Sequence, residues 1–277
     1  MSFLPTLILR VLSVLPLRAL HALGTLLGWI TYGMSPTYRR HLRAHLAQAG
    51  FTDSRVRRAA IAAAGHMVLE VPALWFRSHA QVAALVRETH GFDEAMAERA
   101  RGKALLFLTP HMGSFEAAAQ FAASHMPITF LYRPPKMRWL DPLMRSGRDR
   151  GNAHLAPADL KGVKQLFLAL KRGECVGFLP DQVPGKGEGE WAEFFGRPAY
   201  TMTLAMRLAE RDNVACYLAY ARRLPRGQGY AIEVRPMPAP QPGESPERRL
   251  NRGIESLIRE CPEQYLWSYN RYKGSPA

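Results

Sequence analysis

Short apolar runs that alternate with helix-like segments are the feature that most constrains this chain. Parallel strands covered by helices on both faces are buried on both sides, so they form continuous apolar runs rather than alternating patterns. Runs of this kind occupy residues 104–109, 128–132, 175–179, 214–221 and 230–235. Their alternation with helical patterns predicts an α/β fold, with a mostly parallel or mixed central sheet flanked by helices.

Helical patterns fill most of the sequence between these runs. Residues 54–100 are rich in alanine and carry apolar residues at three- and four-residue spacing, with Pro72 as the expected break. Residues 180–189 and the proline-rich stretch 236–246 are predicted to be loops. Further helices are predicted from Ser114 onward, in the basic stretch 145–150, and over residues 163–171, 201–211 and about 247–260.

The N-terminal segment differs from the rest of the chain in charge and hydropathy. The first 52 residues contain no Asp or Glu, and residues 3–34 are mostly apolar. We interpret residues 1–45 as a hydrophobic and basic membrane anchor formed by an N-terminal hydrophobic helix, with an ordinary amphipathic core helix as the alternative, and residues 46–277 as the domain that carries the sheet. A secretory signal fits less well, because basic residues lie within and after the apolar part. If the anchor spans the bilayer, Arg39, Arg40 and Arg43 place the rest on the cytoplasmic side.

The charge and the cysteine content limit the possible functions. The chain has 37 Lys and Arg against 23 Asp and Glu, a net charge of +14, which indicates an anionic partner such as nucleic acid, a membrane surface, a phosphorylated substrate or an acidic carrier protein. A hydrophobic content of 47% excludes a wholly disordered chain. The three scattered cysteines predict neither a disulfide framework nor a structural zinc site, and no metal site is expected.

The sequence HMGSFE at residues 111–116 is the strongest local indication of chemistry. It directly follows the apolar run 104–109, and sites in such sheets form beyond the carboxyl ends of strands. On one regular helix His111 and Glu116 would point about 140° apart. If the helix instead begins at Ser114, Glu116 lies in its first turn and can reach back to His111. A histidine held by a carboxylate is a general base, although a structural histidine and, less favourably, a Ser114 nucleophile remain alternatives.

HMGSFE resembles the His-x4-Asp/Glu signature of the glycerolipid and lysophospholipid acyltransferases, in its lipid A late acyltransferase branch. Further motifs of that branch follow in the same order, so the resemblance covers the chain from about residue 100 to 272. Two departures concern Ser114 and Phe115, where the family usually has Asn-Trp, and Glu193, where it usually has Pro. The matching motifs lie at residues 132–134, 147–152, 160–162, 180–182, 194–196 and 262–267.

The resemblance implies an inner-membrane O-acyltransferase of glycerolipid acyltransferase-like fold, with its catalytic domain on the cytoplasmic face. It implies an acyl carrier protein thioester as donor, a hydroxyl of a phosphorylated lipid A precursor as acceptor, and no cofactor. His111 would be the general base and Glu116 its orienting carboxylate. The resemblance also marks Arg148 and Asp181 as functional positions in substrate binding. Arg148 could bind the acceptor phosphate or oxyanion, or pair with Asp181, and Arg133 in a proline-rich turn is a further candidate for phosphate binding. Related acyltransferases with another acceptor or an acyl-CoA donor remain alternatives, whereas the chain lacks recognisable nucleic-acid-binding motifs.

Overall fold

The computed structural model describes residues 3–274 and contains a central sheet of seven strands. The spatial order is β1-β9-β8-β2-β5-β3-β4, and every neighbouring pair is parallel except β8 and β9. The sheet is therefore mixed, as the sequence predicted. Its strands are β1 (Val86–His90), β2 (Ala104–Leu108), β3 (Ile128–Tyr132), β4 (Ala153–Pro157), β5 (Cys175–Phe178), β8 (Val214–Arg223) and β9 (Tyr230–Pro236), while β6 (Gly189–Phe194) and β7 (Arg197–Met202) form a separate antiparallel hairpin.

Helices cover both faces of the sheet. In the buried central strand β2, Leu106 and Leu108 belong to one apolar cluster, whereas Leu105 and Phe107 belong to the other. This alternation gives each face its own core. The helices are α1 (Phe3–Val14), α2 (Leu17–Met34), α3 (Pro36–Gln48), α4 (Ser54–Leu69), α5 (Val71–Phe76), α6 (His79–Ala83), α7 (Phe92–Ala100), α8 (Phe115–His125), α9 (Asp141–Arg148), α10 (Leu160–Lys171), α11 (Leu204–Ala209) and α12 (Pro246–Glu260).

Two predicted segments need correction, and two elements were missed. The prediction of helix throughout residues 54–100 is wrong at β1, an edge strand whose residues after Val86 are exposed and which therefore has no apolar run. The helix predicted over residues 201–211 begins only at Leu204, because Thr201 belongs to the β6–β7 hairpin. Strand β4 and this hairpin were not predicted. Pro72 does mark a break, since it lies at the start of α5.

The N-terminal helices pack against the rest of the protein. Helix α2 crosses α4 so closely that a Cβ on Gly65 would lie 1.8 Å from the carbonyl oxygen of Gly24, and a Cβ on Gly28 would lie 2.2 Å from that of Ile61. Larger side chains at this crossing would push the two backbones apart. The predicted boundary at residue 45, between the anchor and the domain that carries the sheet, stays a prediction. Residues 1, 2 and 275–277, at the two ends of the chain, lie outside the residues that the structure describes.

The prediction of a single hydrophobic anchor helix at the N-terminus also needs correction. The apolar segment is divided into α1 and α2, which meet near Pro16. Within residues 3–274, the helical stretch 54–76 instead has the length and hydropathy of a membrane span, but 56% of its apolar 18-residue window is buried inside the protein. The buried core helix of a soluble protein has the same properties, so this stretch is weak evidence for a membrane span.

Candidate active site

Loops that follow three neighbouring parallel strands bring the main site residues together. Strands β2, β5 and β3 are adjacent in the sheet, and their carboxyl ends lead into His111, Asp181 and Arg133 respectively. The first two loops are joined directly, since Thr109 donates its backbone N–H to the carbonyl of Phe178 at 3.1 Å. The site therefore lies at the edge of the sheet where parallel α/β folds place their chemistry.

His111 is held on both ring nitrogens. Its Nδ1 lies 2.7 Å from Oδ1 of Asp181, and its backbone N–H donates to Oδ2 of the same carboxylate at 2.9 Å. A carboxylate only accepts hydrogen bonds, so we assign the ring proton to Nδ1 and a lone pair to Nε2. The amide of Gln182 then donates to Nε2 at 3.1 Å. A histidine in this tautomer can accept a proton on Nε2.

Asp181 is charged despite its burial. Its side chain is only 3% exposed. Burial acts to raise the pKa of Asp181, but attraction to His111, the two hydrogen bonds and the charge of Arg271 outweigh it, so the pKa lies below its usual value. Burial, followed by the negative charge of Asp181, raises the pKa of Tyr265 well above its usual value. The carboxylate is thus fixed in position and in charge.

The C-terminal segment fixes the loop that carries His111. Leu266 donates its N–H to the carbonyl of His111 at 2.9 Å, and Gly113 donates to the carbonyl of Gln264 at 2.9 Å. Gly113 has a φ of +54°, and a Cβ there would lie 2.1 Å from the carbonyl oxygen of Ala221, so only glycine fits. Ser114 precedes α8 as predicted, but its buried hydroxyl neither caps that helix nor hydrogen-bonds His111.

The predicted contact between His111 and Glu116 is not formed. Glu116 does lie in the first turn of α8, yet its two carboxylate oxygens share the N–H of Arg148 Nε, at 2.9 and 3.1 Å. The carboxylate also accepts from Arg148 Nη2 and, at 3.1 Å, from the Trp75 indole. Asp181 takes the position expected for Glu116. The alternative pairing of Arg148 with Asp181 is likewise wrong, because α9 places Arg148 on Glu116 instead.

The ion pair of Glu116 and Arg148 borders an apolar cavity beneath α8. Phenyl rings and small side chains form most of the wall, and Gly177 of β5 contributes to it. A Cβ on Gly177 would lie 2.9 Å from the ring of Phe130, so glycine keeps this part of the cavity open. The cavity has a volume of about 90 Å³, and its apolar lining suits the first part of a hydrocarbon chain. Its apolar wall includes Phe92, Phe107, Phe121, Phe130, Ala118, Ala119, Ala122, Ile128, Ile232 and Val234.

The last predicted site residue, Arg133, lies at the protein surface, where it is exposed. Burial raises the pKa of Tyr269, and the hydrogen bond with Val183 and the charges of Arg271 and Arg133 lower it again only in part. No role was predicted for Trp75, Gln182 or Tyr265. Gln182 and Tyr265 nevertheless lie in the family-like motifs at 180–182 and 262–267. Among residues 3–274, no group of three or more His, Cys, Asp and Glu side chains is arranged to hold a metal ion.

Residues 1–274 match the sequence profile of a family described as bacterial lipid A biosynthesis acyltransferase. The chain is 27% identical over 216 residues to the lipid A biosynthesis lauroyltransferase of Escherichia coli (strain K12), which covers 76% of this chain and 70% of that protein. It is 26% identical over 216 residues to the palmitoleoyltransferase of the same organism, covering 76% and 69%. A lipid A biosynthesis acyltransferase of Haemophilus influenzae is 27% identical over 182 residues, covering 64% and 56%.

Proposed function

Because the chain belongs to the bacterial lipid A biosynthesis acyltransferase family, we propose that it transfers a fatty acyl chain from acyl carrier protein to a hydroxyl group of a lipid A precursor. The observation that carries this proposal is His111, whose Nδ1 is bound to the buried Asp181. Its Nε2 is left as the proton acceptor at the same edge of the sheet. The family membership supports a lipid A precursor as acceptor, and acyl carrier protein as donor is part of the proposal.

The proposed reaction begins with proton transfer to His111. Nε2 takes the proton of the acceptor hydroxyl, after the hydroxyl displaces the amide of Gln182 from that nitrogen. The oxygen attacks the thioester carbonyl and forms a tetrahedral oxyanion, which collapses to the ester and expels the thiolate of the carrier protein. The imidazolium returns its proton to that thiolate. Asp181 holds the tautomer throughout and stabilises the transient imidazolium, and no metal or redox cofactor takes part.

We assign Glu116 and Arg148 to positioning at the cavity mouth rather than to proton transfer. Burial lowers and Glu116 raises the pKa of Arg148, and the net effect is a raised pKa, so the guanidinium is permanently charged. Its side chain is still 24% exposed, which leaves part of it accessible to the oxyanion or to an acceptor phosphate. Arg133, on the loop that follows β3, is a second cation for the acceptor phosphate.

The donor and the location follow from charge and hydropathy. A net charge of +14 favours both an acidic carrier protein and the anionic inner face of a membrane. Helices α1 and α2 also expose large apolar side chains, which favours contact with the bilayer. We therefore propose that the protein acts at the inner membrane, with its site on the cytoplasmic face. The exposed side chains are Leu7, Ile8, Val11, Val14, Leu23, Leu26, Trp29, Ile30 and Met34.

The test is acyl transfer in vitro, with the purified full chain, phosphorylated lipid A precursors and a panel of acyl carrier protein thioesters. A mass gain of one acyl group with the wild type, and its near-complete loss with His111→Ala, would support the acceptor class and the base. Equal transfer from acyl-CoA would remove the carrier protein from the proposal. Transfer to lysophospholipids or other glycolipids, but to no lipid A precursor, would contradict the proposed acceptor.

A further inference from the structure

A second cavity lies between α2, α4 and the turn that joins β8 to β9. Its volume is about 660 Å³, and it shares no lining residue with the apolar cavity beneath α8. Small side chains and four arginines form most of its lining, to which His21, His66, Gln264 and a single carboxylate, Glu263, also contribute. The small side chains are Ala22, Thr25, Ala59, Ala62 and Ala63, and the arginines are Arg18, Arg222, Arg223 and Arg226.

Two of these arginines have no carboxylate partner among the residues that the structure describes. Arg222 pairs with Glu233, but Arg18 instead donates from Nε to the backbone carbonyl of Arg226 at 2.9 Å, and Arg226 itself is exposed. This contact joins the start of α2 to the β8–β9 turn that carries Arg226, and both arginines line the cavity. Both lie at the N-terminus of α2, which has no acidic residue in its first turn and no side-chain cap. The local field therefore favours an anion.

Arg223 adds a buried donor that has no partner. Its side chain is 3% exposed, and it donates from Nε and Nη2 to the two oxygens of Glu70 and from Nη2 to the carbonyl of Gly113. Its Nη1 has no hydrogen-bond partner within residues 3–274. Buried donors of this kind are rare because an unpaired N–H is costly. Nη1 itself has almost no accessible surface, so Arg223 contributes its positive charge to the cavity that it lines rather than a hydrogen bond.

Helix α2 continues from the cationic end of the cavity as an apolar stripe. Arg18, Ala22, Leu26 and Ile30 follow one another at four-residue spacing, so they lie on one helix face. Leu26 and Ile30 are 58% and 46% exposed. Twelve residues of helix span about 18 Å, close to the roughly 15 Å of hydrocarbon in one leaflet. A cation at one end and exposed apolar side chains beyond it match an amphiphile with an anionic head.

We propose that this cavity binds the phosphate headgroup of a membrane lipid, with the acyl chains lying along the apolar stripe of α2. The phosphate lies between Arg18 and Arg226 and faces Arg223. The site is separate from His111 and from the cavity beneath α8, so it goes beyond the proposed acyl transfer.

The test measures binding directly by titration calorimetry, using the full chain in neutral maltoside micelles. The probe is dihexanoyl phosphatidic acid, with dihexanoyl phosphatidylcholine and inorganic phosphate in parallel titrations. We expect saturable binding of the phosphatidic acid, at least about tenfold tighter than that of either comparison probe, because only this probe offers both an anionic phosphate and acyl chains. Inorganic phosphate binding as tightly as the lipid would refute an amphiphile as the ligand.

The variant Arg18→Gln/Arg226→Gln should weaken phosphatidic acid binding at least about tenfold. Lys161→Gln/Lys164→Gln removes the same charge from exposed positions on α10 and should change binding less than about twofold. Ala22→Glu places a carboxylate in the cavity at an exposed helical position. This variant should also weaken phosphatidic acid binding, and it tests the proposal if the double variant folds poorly. Unchanged binding in folded Ala22→Glu, or equal loss in the lysine control, would overturn the proposal.

His111→Ala should bind the probe as the wild type does, because His111 does not line this cavity. This result separates the two proposals, since binding can persist when acyl transfer fails. Loss of binding in His111→Ala would show that the phosphate sits at the catalytic site instead, and would contradict a separate cavity.

Discussion

Replacing Asp181 with Asn tests which carboxylate orients His111. The substitution keeps the size of the side chain but removes the charge that accepts two hydrogen bonds, from Nδ1 and from the backbone N–H of His111. If the Asn oxygen stays on the backbone N–H, its NH2 group faces Nδ1. The ring must then carry its proton on Nε2, where it cannot act as the base.

The expected loss can be estimated from the contact distance. An Nδ1 to Oδ1 separation of 2.7 Å places the two charge centres about 4 Å apart in the imidazolium state. At an effective dielectric constant of about 20, that attraction is worth about 4 kcal/mol. Since each 1.36 kcal/mol is a factor of ten, Asp181→Asn should lower kcat by about 10³-fold. The acyl-acceptor KM should change little, because Asp181 is buried and makes no direct contact with the acceptor in the proposed reaction.

Glu116→Gln is the matched comparison. It removes the same charge from the carboxylate that the sequence predicted to orient His111. Its carboxylate binds Arg148 and Trp75 and not His111, so we expect a loss of about tenfold, mainly in KM. The assay is single-turnover acyl transfer, read by mass spectrometry, from pH 5 to pH 9. A larger kcat loss in Glu116→Gln than in Asp181→Asn would refute this assignment.

The remaining predictions concern chain length, ion-pair geometry and acid stability. Ala118→Phe, nearer the N-terminus of α8, should shorten the preferred acyl chain more than Ala122→Phe, one turn further along the cavity wall, in competition assays with mixed thioesters. Arg148→Lys should lower activity about tenfold or more, because an ammonium cannot reproduce the two-nitrogen contact with its carboxylate partner; wild-type rates would contradict that geometry. Burial raises the pKa of Glu70, but the Arg223 charge and hydrogen bonds outweigh it and bring the pKa to about 2. A shift from 4.5 corresponds to about 3 kcal/mol of stability, present above pH 4.5 and lost as pH falls towards 2, so denaturant titrations of the wild type and Glu70→Gln should converge over that range.

The central strands could be predicted because burial on both faces requires a continuous run of apolar residues. Strands β2, β3 and β5 are short apolar runs and lie within about a residue of their predicted bounds. Edge strand β1 instead consists mainly of polar, exposed residues, so no apolar run indicates it in the sequence. The β6–β7 hairpin depends on packing against α12, which local sequence does not encode: the Asn251 amide reaches the carbonyls of Ala192 and Glu193, at 3.4 and 3.0 Å.

The error at Glu116 has a physical reason that applies to other sites of this type. Local spacing shows only which residues share a helical turn, and by that measure Glu116 is the carboxylate nearest to His111 in sequence. Asp181 lies 70 residues further on, yet β5 is the strand next to β2, so residues placed three beyond the ends of both strands meet at the same edge of the sheet. Strand order decides this contact, and strand order depends on long-range pairing that no local motif reports. The motif at 180–182 did mark Asp181 as functional, but its partner could be assigned only once the neighbouring strands were known.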